Sequence, residues 1–102
     1  MGLARKLSWR SEPQEARLRR RDWPPWWAWE LELSPHLLKR MVDRRFSEID
    51  LRAMLERASA YRSDATPGRW VIETRLRRRR WQVIVEPDTA SEMLVIVTAY
   101  PL

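Results

Sequence analysis

The period of the hydrophobic pattern changes several times along this chain, and each change marks an element. Trp27, Trp29, Leu31 and Leu33 alternate with Glu30 and Glu32, the period-two signature of a half-buried strand. Ser34-Pro35 then opens a helix over about 35–45. Serine can cap free backbone N–H groups, and proline loses no donor at the first helical position. Leu37, Leu38, Met41 and Val42 supply its apolar stripe, with His36 roughly opposite. Ser47, with Asp50 three residues on as a capping-box partner, starts a second helix that runs to about Ser59. That helix is expected to bury Ile49, Leu51, Met54, Leu55 and Ala58. Tyr61 to Gly68 reads as loop, closed by a Pro67-Gly68 turn.

Period two returns afterwards. Trp70, Ile72, Thr74 and Leu76 alternate with Val71, Glu73 and Arg75, and Trp81, Val83 and Val85 alternate with Gln82, Ile84 and Glu86. Arg77, Arg78 and Arg79 fall at the tip of the intervening hairpin. Pro87-Asp88 starts a further turn, and the apolar run from Met93 to Tyr100 belongs inside a sheet, ended by Pro101. The sum is an α+β domain: an N-terminal strand and two helices packed on a three- to four-stranded antiparallel meander. Its compact part spans residues 26–102, and no internal repeat is visible.

Residues 1–25 differ in character. Ser11 to Arg21 can form a short helix with Glu15 four residues before Arg19, but its faces are almost wholly polar. Asp22-Trp23-Pro24-Pro25 breaks any such helix, so this stretch reads as a basic, poorly ordered arm with a Pro-rich linker. Its Arg19-Arg20-Arg21 run suits either a polyanion or plain solvent. The 102 residues carry a net charge of +6 and no cysteine, consistent with a reducing cytoplasm. No secretory leader and no membrane-spanning stretch are expected. Arginine, at 18 positions against two lysines, is the better phosphate ligand, although an arginine-rich proteome produces the same bias.

Several chemistries drop out. Without cysteine and with one histidine, the usual Cys/His zinc site cannot be built. Two glycines, Gly2 and Gly68, cannot form a phosphate-cradling loop, and no nucleophile-elbow sequence exists. Glu30 and Glu32 fall on the outer face of a strand, where solubility explains them. What remains is a metal-free, cofactor-free set. His36 and Arg40 stack on one face of the first helix, with Arg44 at its edge, and Thr98 and Tyr100 share one face of the last strand. Trp70 and Trp81 lie on the apolar face of their strands, which favours core packing over base stacking. Arg75 and Arg77 to Arg80 at the hairpin suit contact with an RNA backbone.

The run SPHLLKRMVDRRFSEIDLRAML resembles the H-x-x-x-R-M-x-x-R-x-[IF]-[ST]-x-x-[DE]-[IVL] opening of a family of small bacterial domains of unknown function. It is followed by Gly68-Arg69-Trp70-Val71, Arg79-Arg80-Trp81-Gln82-Val83 and Ile96-Val97-Thr98-Ala99-Tyr100, and the likeness covers about Trp29 to Leu102. That family is similar to the RelE-like toxins and the wider barnase–EndoU–colicin–RelE nuclease superfamily. The resemblance implies a RelE-like fold and a metal-independent endoribonuclease of toxin–antitoxin type. It also implies RNA as partner, ribosome-associated mRNA included, and a cognate antitoxin. By position it implies a catalytic set of His36, Arg40, Arg44 and Thr98, with Tyr100 adjacent.

These residues suit cleavage of RNA by attack of the ribose 2′-OH on the neighbouring phosphate. His36 would take the hydroxyl proton, Arg40 and Arg44 would hold the phosphate, and Thr98 or Tyr100 would orient it or supply a proton. The requirement for a 2′-OH confines such activity to RNA. The alternative is a non-catalytic module on the same fold. It would bind nucleic acid, or a protein through a tryptophan-rich edge strand at Trp26 to Trp29.

Overall fold

A computed structural model describes residues 23–102 together with the strand Arg5–Leu7. The expected helix over Ser11–Arg21 and the Arg19–Arg21 run lie outside the described residues. Numbered in chain order, the strands are β1 (Arg5–Leu7), β2 (Glu30–Leu33), β3 (Ala60–Ser63), β4 (Trp70–Leu76), β5 (Arg79–Asp88) and β6 (Met93–Pro101). The helices are α1 (Pro35–Asp43) and α2 (Glu48–Glu56), and a 3-10 turn spans Pro25–Ala28.

Both serine caps form as their positions require. Ser34 Oγ accepts the Leu37 N–H at 3.0 Å, with Pro35 opening α1. Ser47 Oγ accepts from Asp50 N–H at 3.1 Å while Asp50 Oδ2 accepts from Ser47 N–H at 2.9 Å, a complete capping box. The first helix ends earlier than its pattern suggests, because Arg45 adopts a left-handed conformation (φ 56°). Arg45 and Phe46 N–H groups bond back to the Val42 and Met41 carbonyls, closing the helix in the manner usually left to glycine.

Two expected core residues are corrected. Val42 is 78% exposed and Ile49 is 77% exposed. The buried face of α1 centres on Leu37, and at 100° per residue Val42 lies about 140° away. Ile49 lies about 160° from Leu51, which with Met54 and Leu55 is fully buried.

The sheet runs in the order β1-β2-β6-β5-β4-β3. It is mixed: β2 lies parallel to β6, pairing Glu30 with Met93 through Leu33 with Ile96, and every other pair is antiparallel. The N-terminal strand is therefore part of the sheet, not a layer packed on a meander. An apolar run like β6 needs cover on both edges, and β2 supplies it on the side away from β5. The expected loop after α2 also contains a strand, since Ala60–Ser63 pairs with Trp70–Glu73.

Three further boundaries differ. Only Arg77 and Arg78 form the β4–β5 turn, both at positive φ (53° and 67°), the handedness a two-residue hairpin needs. Arg79 and Arg80 belong to β5, which continues through Pro87 to Asp88. Trp26 to Ala28 is not strand, because Pro24-Pro25 directs the chain into a 3-10 turn.

Both helices pack on one sheet face, over Leu31, Leu33, Ile72, Val83, Val85, Leu94 and Ile96. Trp81 joins this core edge-on to Phe46, with ring centroids 5.2 Å apart. Trp23, Trp26, Trp27, Tyr61 and Trp70 form a contiguous aromatic cluster at its border, with centroids 4.6 to 6.4 Å apart. Trp27 is 3% exposed, and β2 has a neighbour on each side, so the expected tryptophan-rich edge strand is not present. On the other sheet face, Val71 and Ile84 are paired and buried outside the core cluster, with Thr98 opposite Ile84.

Candidate functional site

The geometry of the site follows from β2 being shorter than β6. The parallel pairing ends where Leu33 meets Ile96, which frees the edge of β6 from Val97 onward. Backbone carbonyls on that edge need donors, and α1 supplies them. Ser34 N–H donates to the Ile96 carbonyl at 3.1 Å, and Ser34 Oγ donates to that of Val97 at 2.9 Å. Arg44 Nη1 donates to the Ala99 carbonyl at 2.8 Å and to Thr98 Oγ1 at 3.5 Å. A local bulge between Ile84 and Val85 shifts the β5–β6 register here, leaving Val97 as the extra residue.

This arrangement sorts the five expected catalytic residues. His36 is exposed at the first turn of α1 and lines an open cavity of about 670 Å³. Val95 and Val97 contribute its apolar wall, and Arg69, Glu86, Asp88 and Thr89 its polar one. Arg69 Nε donates to Glu86 at 2.9 Å, so that guanidinium already has a carboxylate partner. Arg44 and Thr98 are in contact, and Thr98 directly follows the Val97 that lines the His36 cavity. Arg44 and Thr98 thus meet at the β6 edge, and His36 shares with that strand the cavity that Val95 and Val97 line.

Arg40 and Tyr100 are directed elsewhere. Arg40 Nη1 donates to Asp43 at 2.9 Å, and its buried Nε has no hydrogen-bond partner among the described residues. Tyr100 lies opposite Gln82, and its hydroxyl donates to Gln82 Oε1 at 2.9 Å. Neither residue is shown in contact with His36, Arg44 or Thr98.

The hairpin arginines divide in the same way. Arg77 bonds to Asp50 Oδ2 at 2.9 Å and to the Arg45 carbonyl at 3.3 Å, tying the turn to the start of α2. Arg79 Nε donates to the Leu102 carbonyl at 3.2 Å. Arg75, Arg78 and Arg80 are exposed and hold no side-chain ion pair or hydrogen bond among the described residues. Arg44, Arg77 and Arg79 line one cavity of about 350 Å³, beside Trp81 and Pro101. Arg75 and Arg80 line another of similar volume, again reaching Trp81 and joined by Arg57. Trp81 borders both cavities, which places their arginines at the hairpin end of the sheet.

Sequence reasoning missed Arg57 and Arg69. Arg57 directly follows an amphipathic helix, where a basic residue is an ordinary complement to the helix dipole. Only packing shows it facing the hairpin. Arg69 and Glu86 are 17 residues apart and meet through the β4–β5 pairing. Among the titratable groups, Asp88 has its carboxyl held below the usual range by the Ser91 side chain and backbone, with Ala90 N–H adding to the effect.

No helix among the described residues is long and apolar enough to cross a membrane. Compared with known proteins, residues 33–101 match the family described as Domain of unknown function (DUF4258). No curated protein and no solved structure matches the chain.

Proposed function

The chain belongs to the DUF4258 family, and we propose that it binds RNA along the arginine-rich surface from the β4–β5 hairpin to the free edge of β6. One observation carries this reading. Arg40, Arg62, Arg69 and Arg77 are each paired with a carboxylate, yet Arg75, Arg78 and Arg80 are left close together at the hairpin without partners among the described residues. Arginine forks left unpaired in this way suit phosphate oxygens, and each contact releases counterions on binding.

A second reading adds cleavage, and the exposed His36 favours it. The imidazole stands on an open cavity next to the stretch where Arg44 meets Thr98, at the far end of the same surface. In this reading His36 takes the proton from a ribose 2′-OH as the oxygen attacks the adjacent phosphate, the P–O5′ bond breaks to leave a 2′,3′-cyclic phosphate, and water protonates the departing 5′-oxygen. Arg44 faces the charge that develops on the phosphate, and Thr98 orients it. The RelE-like likeness of the motifs leads to the same reaction class, with toxin action restrained by an antitoxin as its biological form. Arg40 and Tyr100 then act through Asp43 and Gln82 rather than on the phosphate.

Purified protein and a labelled RNA oligomer in EDTA separate the readings. Retardation of intact RNA at low salt supports binding, and shortening that disappears in His36→Ala supports cleavage. RNA that is neither retarded nor shortened refutes both. Growth arrest on expression, absent with His36→Ala and relieved by a co-expressed neighbouring gene product, supports the toxin form.

A further inference from the structure

Three arginines from three separate segments converge on the cavity of about 350 Å³ at the hairpin end: Arg57 after α2, Arg75 on β4 and Arg80 on β5. All three are exposed, and none holds a side-chain ion pair or hydrogen bond among the described residues. Four arginines elsewhere are engaged by carboxylates: Arg40 with Asp43, Arg62 with Glu73, Arg69 with Glu86 and Arg77 with Asp50. Arg75 and Arg80 are direct cross-strand partners, an arrangement in which like charges repel.

Glu73, the carboxylate side chain in the wall, is paired with Arg62 at 3.3 Å. Ser59 Oγ donates to the Glu73 carbonyl, and Thr74 Oγ1 donates to that of Met54. The charged hydrogen-bond donors of the lining are therefore the guanidiniums, each of which carries five N–H groups in a planar fork. Three such forks around one concavity match an anion with several oxygens and more than one charge.

We propose that this cavity is a phosphoryl-binding site for the terminal phosphomonoester of an RNA strand, a proposal that rests on the RNA-binding reading. A monoester offers three terminal oxygens and between about 1.5 and 2 negative charges at pH 7. An internal diester offers two free oxygens and a single charge. Bound here, the end of the strand is anchored at the hairpin, and the chain then follows Arg77 and Arg79 towards Arg44 and the β6 edge. The role given to Arg75 and Arg80 becomes specific, and Arg57 joins them.

The test compares one oligoribonucleotide carrying a 5′-phosphate, a 3′-phosphate or hydroxyls at both ends, by fluorescence anisotropy at physiological ionic strength. Arginine side-chain NMR signals are followed in parallel during titration with inorganic phosphate. One phosphorylated end should bind about tenfold more tightly than the hydroxyl form. R57Q should erase most of that preference while retaining binding of the hydroxyl form, whereas R75Q and R80Q should erase it and also weaken binding of every RNA, and circular dichroism verifies their fold. Which end is preferred identifies the source of the phosphate. Equal binding of all three RNAs overturns the proposal and leaves the RNA reading standing. Failure of every RNA to bind, with phosphate still moving the signals of Arg57, Arg75 and Arg80, refutes the RNA reading and retains a phosphate site. No preference and no response to phosphate overturns the site itself.

Discussion

Removing the Arg44 side chain tests whether the residue holds the fold, a ligand or both. Its Nη1 donates to the Ala99 carbonyl at 2.8 Å, on a strand edge that β2 has already left. In Arg44→Ala that carbonyl loses its charged donor, and Thr98 Oγ1 loses a neighbour at 3.5 Å. A hydrogen bond to a charged group contributes about 1.5–3 kcal/mol. Arg44 is half-buried, so water replaces part of the loss and a cost of about 1–2 kcal/mol is expected. For a domain of this size that lowers Tm by roughly 5–15 °C. Arg40→Ala provides the comparison, because its pair with Asp43 is a helix-surface contact worth only about 0.3–0.5 kcal/mol. Thermal unfolding followed by circular dichroism reads both, and RNA retardation is measured on the same samples. A melting point for Arg44→Ala within about 2 °C of the parent refutes the edge-capping argument. If RNA binding is lost at the same time, Arg44 serves a ligand and not the strand.

Four more expectations follow from individual contacts. Arg78 holds φ 67° with an exposed side chain, so Arg78→Gly should raise stability by about 0.5–1 kcal/mol by relieving left-handed strain, read as a higher urea midpoint; an unchanged or lower midpoint contradicts that account. Thr74 is 4% exposed and donates to the Met54 carbonyl, so Thr74→Val should cost about 1–3 kcal/mol despite its similar shape, and a neutral result in chemical denaturation shows that the carbonyl finds another donor. Asp88 has a lowered carboxyl pKa, so its turn contributes stability above the ordinary carboxylate range and loses it as pH falls through the folded value; Asp88→Asn should remove that dependence from the Ser91 amide shift, and an identical titration in the variant refutes the assignment. Neutralising Arg78 and Arg80 together should reduce the slope of log affinity against log salt by about 2, and an unchanged slope means that both face only solvent.

Local chemistry made much of this molecule legible. Ser34-Pro35 and Ser47 with Asp50 mark helix starts because their bonds close within four residues. The alternation of Trp70 to Leu76 and of Trp81 to Val85 marks strands with one face in the main core, although Val71 and Ile84 are buried on the other face as well. The single histidine at the start of α1 and its exposure follow from the same helical geometry. These are short-range statements, and the structure bears them out. Trp26 to Ala28 failed because an alternating pattern was carried back through a Pro-Pro pair that sets a 3-10 turn. Ala60–Ser63 failed because a short edge strand takes its hydrogen bonds from β4, and little within the segment announces them.

Tertiary structure alone decided the remainder. The parallel pairing of β2 with β6 joins residues more than 60 positions apart, and period-two alternation is the same for either strand direction. The early end of β2 turns Arg44 into the donor for an exposed β6 edge and places it against Thr98, 54 residues on. Arginine content alone does not reveal which forks are engaged, because ion pairs such as Arg69–Glu86 and Arg77–Asp50 form only across paired strands or between hairpin and helix. The sequence by itself determined the helix caps, the strands with one apolar face and a strongly cationic chain. Folding determined which guanidiniums neutralise the domain's own acids and carbonyls, and which three are left facing one cavity, because partners distant in sequence meet only once the sheet has assembled.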